Sequence, residues 1–183
     1  MFKNFVKAAI VASVLAGGAA NAISVTDTAT FNGNTYKLLS EANWTDSEAY
    51  AVSLGGHLVA VDNAAENTFL TTTWGSQMTL WLGLFRTAPN ASTFAWTNGQ
   101  AVGYTNWAAG EPNNYGTGER YVHTYANGQW NDLANVSPYA FPQHGVVEIT
   151  TAVPEPESYA LMLAGLGLVG GLARRRARKA AAA

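Results

Sequence analysis

Glu111, Asn113, Glu119, Asn131 and Asp132 are the residues whose types and spacing could do chemistry in this chain. They lie in one stretch, E-P-N-N-Y-G-T-G-E-R-Y-V-H-T-Y-A-N-G-Q-W-N-D, which runs from Glu111 to Asp132. Glu119 follows Asn113 by six residues, and Asn131 and Asp132 follow Glu119 by twelve and thirteen. All five carry hard oxygen donors, and Gly116, Gly118 and Gly128 let the backbone between them curl so that distant oxygens can converge. A cation that takes six to eight oxygens at roughly 2.3–2.6 Å suits this set, which favours calcium over zinc or copper. A plain acidic, Asn-rich surface loop would have the same composition.

Other chemistries find less support. No G-x-S-x-G nucleophile motif and no cysteine is present. His57, His123 and His144 stand far apart, without the spacing of a zinc site. Glu111 and Glu119 could imitate the carboxylate pair of a glycosidase, but their place among the other oxygen donors suits a metal better. An enzyme is therefore not expected.

The elements that must position these residues are legible on both sides of the loop. Thr30 to Leu39 alternates as a strand should around an Asn32-Gly33 turn. Thr45-Asp46-Ser47-Glu48 reads as a capping box opening a helix to about Leu54, which Gly55-Gly56 ends. His57 to Val61 reads as a buried strand, with His57 a core or strand-end histidine that has no evident partner. Asn63 to Glu66 caps a second helix towards Trp74. Phe94 to Gly99 reads as a strand and turn, and Tyr104 to Trp107 leads into the polar loop. Tyr121 to Tyr125, an Asn127-Gly128 turn and Gln129-Trp130 form a hairpin that returns to Asn131-Asp132, and Val146 to Ile149 closes the domain. Trp81, Trp96 and Trp107 alternate with small polar residues as in a half-buried sheet, so they are assigned to the core. Tyr115, inside the loop, is the aromatic placed nearest any ligand there.

E-P-N, an acid six residues on and W-N-D twelve beyond it resemble the long-loop calcium site of C-type lectin-like domains. The passage W-T-D-S-E-A-Y-A-V-S-L-G-G-H-L-V-A-V resembles the first half of that fold, and Trp81-Leu82-Gly83-Leu84 its central W-I-G-L strand. The resemblance implies an α+β fold in which two helices pack on antiparallel sheets beside a long calcium-binding loop. It implies that Glu111, Asn113, Glu119, Asn131 and Asp132 hold calcium and that the same five, with Tyr115, bind a sugar. It implies a cis Pro112 and, from E-P-N, a mannose- or glucose-type ligand. Glu148 matches an acid the family often carries, and Asn114 stands where members with an auxiliary calcium place Asp, so one calcium is expected. The family usually has two disulfides. Here their positions hold Ala51 with Val147, and Tyr121 with about Asn135, so the fold is expected without disulfides.

Length and charge bound the rest. The chain of 183 residues allows one domain with appendages. Residues 1–22 look like a secretory signal peptide, with Lys3 and Lys7, an apolar run and the small-x-small Ala20-Asn21-Ala22. Residues 23–152 form the domain, where three basic residues against ten acids leave a net charge of −7. That is a poor nucleic-acid binder, since phosphate contacts need clustered Lys and Arg. Residues 153–183 run from V-P-E-P-E-S through a short apolar helix to an Arg cluster at Arg174, Arg175, Arg176 and Arg178. This order resembles the PEP-CTERM sorting signal of Gram-negative bacteria. It implies transient membrane anchoring by that short transmembrane helix, processing by an exosortase, and export to the cell surface, outer membrane or extracellular matrix. The leading expectation is calcium-dependent binding of a glycan or extracellular polysaccharide. The alternative is an adhesive surface protein that uses the same fold for protein or matrix contact without sugar.

Overall fold

The computed structural model describes residues 22–136, 143–151 and 161–166. Strands β1 (Val25–Phe31) and β2 (Asn34–Ala42) form the first hairpin. Its turn, Asn32-Gly33, has both residues at positive φ, +49° and +87°, the backbone that a two-residue hairpin turn requires. Helix α1 (Trp44–Ser53), β3 (His57–Leu58) and α2 (Ala64–Leu70) follow, and a π-helical turn extends α2 to Gly75. The remaining strands are β4 (Leu80–Arg86), β5 (Phe94–Trp96), β6 (Tyr121–Thr124), β7 (Trp130–Leu133) and β8 (Gln143–Ile149). The sheet runs β1-β2-β8-β4-β6-β7, with β3 added on β8 and β5 on β4. Among the described strands the pairings are antiparallel, except that β4 and β8 run parallel at the centre of the sheet.

This is the expected α+β arrangement of two helices on a largely antiparallel sheet. The main core gathers Val59, Leu70, Leu82, Leu84, Val122 and Val146 around Trp96 and Trp130. Gly83 lies at its tightest point. A Cβ there would stand 2.2 Å from the Leu58 carbonyl oxygen and 2.7 Å from Thr97 Oγ1, so only glycine lets β4 approach the 57–61 segment. Trp81 and Trp96 are buried as expected, and Trp107 packs at the edge of the core.

Two local expectations need correction. The cap of α1 is Asn43, not Thr45: its side chain accepts from Asp46 N at 2.8 Å. Glu48 is thereby free of capping and turns instead to His57 Nδ1 at 2.7 Å and Leu58 N at 2.8 Å. His57 therefore has a partner, and the pair ties α1 to β3. Asn63 caps α2 as expected, accepting from Ala65 N and Glu66 N at 3.0 Å each.

The structure also shows what stands where cysteines were expected. Ala51 and Val147 pack with Leu39 in one buried cluster, so apolar contact joins α1 to β8. Tyr121 and Asn135 both turn to the start of α1. The Tyr121 ring stacks on Trp44 at 4.4 Å, while Asn135 accepts from Thr45 N at 3.0 Å and donates to Thr45 Oγ1 at 2.9 Å. Of the C-terminal tail only 161–166 is described. It is helical and exposes Leu161, Met162, Leu163 and Leu166. No described helix is long and apolar enough to cross a membrane. The rest of the tail, and residues 1–21 of the expected signal peptide, lie outside the described residues.

Candidate metal and ligand site

The site is built on Trp130, which is fully buried on β7. Trp96, Tyr104 and Trp107 meet its ring edge-to-face at 5.7–5.9 Å. Its Nε1 donates to Asn67 on α2 at 2.8 Å. The long segment between β5 and β6 is pinned beside it: Trp130 N donates to Asn106 O at 2.7 Å, and Ala108 N to Trp130 O at 2.9 Å. Asn67 and Asn106 both donate to the Gly128 carbonyl, which fixes the β6–β7 turn. A single rigid ring thus holds the residues that follow it, Asn131 and Asp132, against the loop that carries Glu111 to Glu119.

Four of the five expected ligands form one connected cluster. The Glu111–Pro112 peptide is cis. Asn113 Nδ2 donates to Glu111 Oε1 at 2.9 Å, and Asn113 N donates to Asp132 Oδ1 at 3.0 Å. Glu119 Oε2 accepts from Tyr115 N at 2.7 Å, inside the 3₁₀ turn Tyr115–Thr117. Asn131 joins from the strand. It stands next to Asp132 on β7 and is nearly buried. Its Nδ2 lies 3.1 Å from His123 Nε2.

Tyr115 is 82% exposed at the loop tip, open to any ligand above the site. Asn114 is not available to a second cation. Its backbone is left-handed, its Oδ1 accepts from Glu119 N at 3.1 Å, and its Nδ2 donates to Asn90 at 2.9 Å. The amide side chain is spent on holding the loop.

Two residues of the site were not singled out from sequence. Arg86, at the end of β4, is 4% exposed and pairs with Asp132 Oδ2. It also donates to the Ala91 and Glu119 carbonyls, and Phe94 lies under its guanidinium at 4.7 Å. One side chain thus clamps β4, the 87–93 turn, the loop and β7. The signal for it was present: one of only three basic residues in 23–152 closes an apolar strand. The other is Tyr125, partly exposed after β6, whose phenol is pushed up by burial and by the field of Glu111, Glu119 and Asp132.

The electrostatics favour a cation. Burial, then the neighbouring carboxylate of Asp132, raises the Glu111 carboxyl above its ordinary value. Glu119 rises for the same first reason, with Asp132 and Glu111 adding to it and Arg86 opposing. Three carboxylates against one guanidinium leave two negative charges, which a divalent ion would balance. Asp132 Oδ2 is filled by Arg86 and Asn114 N, so Oδ1 is the atom it could offer. No three Asp, Glu or His side chains form a metal cage by themselves among the described residues. The amide oxygens of Asn113 and Asn131 complete the donor set, and an all-oxygen set of acids and amides fits calcium.

Residues 40–141 match the Lectin C-type domain family, and residues 152–179 match the PEP-CTERM protein-sorting motif. The chain is 36% identical over 126 residues to the alpha-N-acetylgalactosamine-specific lectin of Patiria pectinifera, covering 61% of this chain and 73% of that one. It is 37% identical over 89 residues to the mouse low affinity immunoglobulin epsilon Fc receptor, of which it covers 26%. Among solved structures, lectin CEL-I from Cucumaria echinata superposes with a TM-score of 0.61 at 28% identity, covering 68% of this chain and 96% of that one. The cow CD23 carbohydrate-recognition domain, solved with a GlcNAc2Man3 oligosaccharide, gives 0.59 at 28% identity, with coverage of 68% and 94%.

Proposed function

This chain belongs to the C-type lectin domain family, and from that premise we propose that it binds carbohydrate through a calcium ion. Its relatives and its fold are those of lectins, so it is a binding module and not an enzyme. The ligands are Glu111, Asn113, Glu119, Asn131 and Asp132. The same carboxylates and amides receive the hydroxyls of the sugar, and Tyr115 covers one side of it. The observation that carries this reading is the charge of the cluster: two negative charges stay unbalanced after Arg86 has taken its share.

E-P-N at 111–113 favours a mannose- or glucose-type sugar, whereas the Patiria pectinifera relative is named for alpha-N-acetylgalactosamine. The sorting motif at 152–179 supports export by a Gram-negative bacterium. In this reading residues 1–22 are removed as a signal peptide and an exosortase processes 153–183. The domain 23–152 then works at the cell surface or in the extracellular matrix. Many copies displayed together would give avidity to a weak monovalent site.

A second reading has its own observation. Arg86 already braces the loop from within, so the loop can keep its shape without metal and serve adhesion alone.

Thermal unfolding of the full chain separates the two. A ligand that binds only the native state stabilises it by about 2.7 kcal/mol at a hundred times its Kd. Tm should rise with calcium over chelator, and again on adding mannose but not N-acetylgalactosamine. Glu119→Gln should remove the calcium step. A Tm that ignores calcium would leave the adhesive reading standing.

A further inference from the structure

His123 lies on β6 directly opposite Asn131 on β7. It is 5% exposed and held on both sides, by Trp81 edge-on at 6.0 Å and by Tyr125 at 5.3 Å. Its Nδ1 is 3.1 Å from the Thr124 carbonyl oxygen, and its Nε2 is 3.1 Å from Asn131 Nδ2. A carbonyl can only accept, so Nδ1 carries the proton. In the neutral ring Nε2 must then be the acceptor, and Asn131 has to present its NH₂ there. The amide oxygen is thereby turned away from the imidazole.

We infer that His123 is a positioning residue that fixes the amide of Asn131 so that oxygen, not nitrogen, is offered to the cation. This rests on the calcium reading above. An unanchored Asn presents either end of its amide, and a hard cation rejects the nitrogen end. A partner behind a metal ligand commonly governs affinity about 10–100-fold. The two oxygens of a carboxylate are equivalent and the two ends of an amide are not. Of the two amide ligands Asn113 already has its Nδ2 on Glu111 Oε1, so Asn131 is the one in need of such a partner.

Two measurements on the full chain test it. Nitrogen-15 spectroscopy of the imidazole should find Nδ1 protonated and Nε2 bare; a protonated Nε2 overturns the inference without any metal. Calorimetric titration with calcium should then show about tenfold weaker binding in His123→Leu, and recovery to within about threefold in His123→Gln, whose amide oxygen can again accept. In an Asn131→Asp background, where both terminal atoms are oxygen, His123→Leu should change affinity by less than about twofold. An equal loss in both backgrounds would make His123 a packing residue and overturn the inference. Calcium bound equally well by wild type and His123→Leu would overturn it while leaving the calcium site intact. Failure of the wild type to bind calcium would take both readings down.

Discussion

Asp132→Ala should damage the protein before any metal is involved. Asp132 is fully buried, pairs with the nearly buried Arg86, and accepts from Asn113 N and Asn114 N. Truncating it strands a guanidinium away from water, at a cost of about 3–5 kcal/mol for a broken buried pair. Of the two loop N–H groups, that of Asn113 adds less, because Asn113 is exposed and can take water instead. Against a typical stability of about 5–15 kcal/mol this is a large loss. Arg86→Met alone should cost a similar amount, since it leaves the carboxylate unpaired. Arg86→Met with Asp132→Leu should cost less than the sum by at least about 2 kcal/mol, because neither charge then remains. Urea unfolding in chelator at constant pH reads all three through the midpoint and slope. A loss below about 1 kcal/mol for Asp132→Ala, or strict additivity in the double variant, would refute the buried-brace role. Loss of calcium binding in Asp132→Ala therefore cannot be assigned to a missing ligand, which is why Glu119→Gln is the sharper test of the site.

Two further outcomes follow from positions outside the site. Glu148 receives Asn34 Nδ2 at 2.8 Å, and burial followed by repulsion from Glu66 pushes it up to about 7. Because its folded value lies above the unfolded one, ionisation opposes folding, and this penalty grows as pH rises from about 4.5 to about 7. Glu148→Gln should therefore raise Tm at pH 8 more than at pH 4, and an equal shift at both would contradict it. Gly83→Ala would force a methyl against the Leu58 carbonyl, which is backbone and cannot turn aside. It should cost roughly 1–3 kcal/mol or more as overpacking, measured by urea unfolding, and a neutral result would mean the strand spacing is not fixed there.

Sequence by itself marked the polar stretch 111–132, most of the strands and most turns, since these depend on near neighbours. Alternation placed β1 and β2, Asn32-Gly33 made their turn, and Asn63 capped α2. The donor types of Glu111, Asn113, Glu119, Asn131 and Asp132 were enough to propose an oxygen site, because coordination preference is a property of the atoms themselves. The rest belonged to pairings between residues far apart in the chain. Thr45 read as the cap of α1, but Asn43 takes that place, and Glu48 is claimed by His57 and Leu58. Where no cysteines exist, only the fold could show that Tyr121 and Asn135 both lean on the start of α1. Arg86 lies 46 residues from Asp132 and His123 eight from Asn131. Their roles arise because the register of β4, β6 and β7 sets those side chains together in a space closed to water. There, each donor must find an acceptor, a constraint that no local pattern encodes.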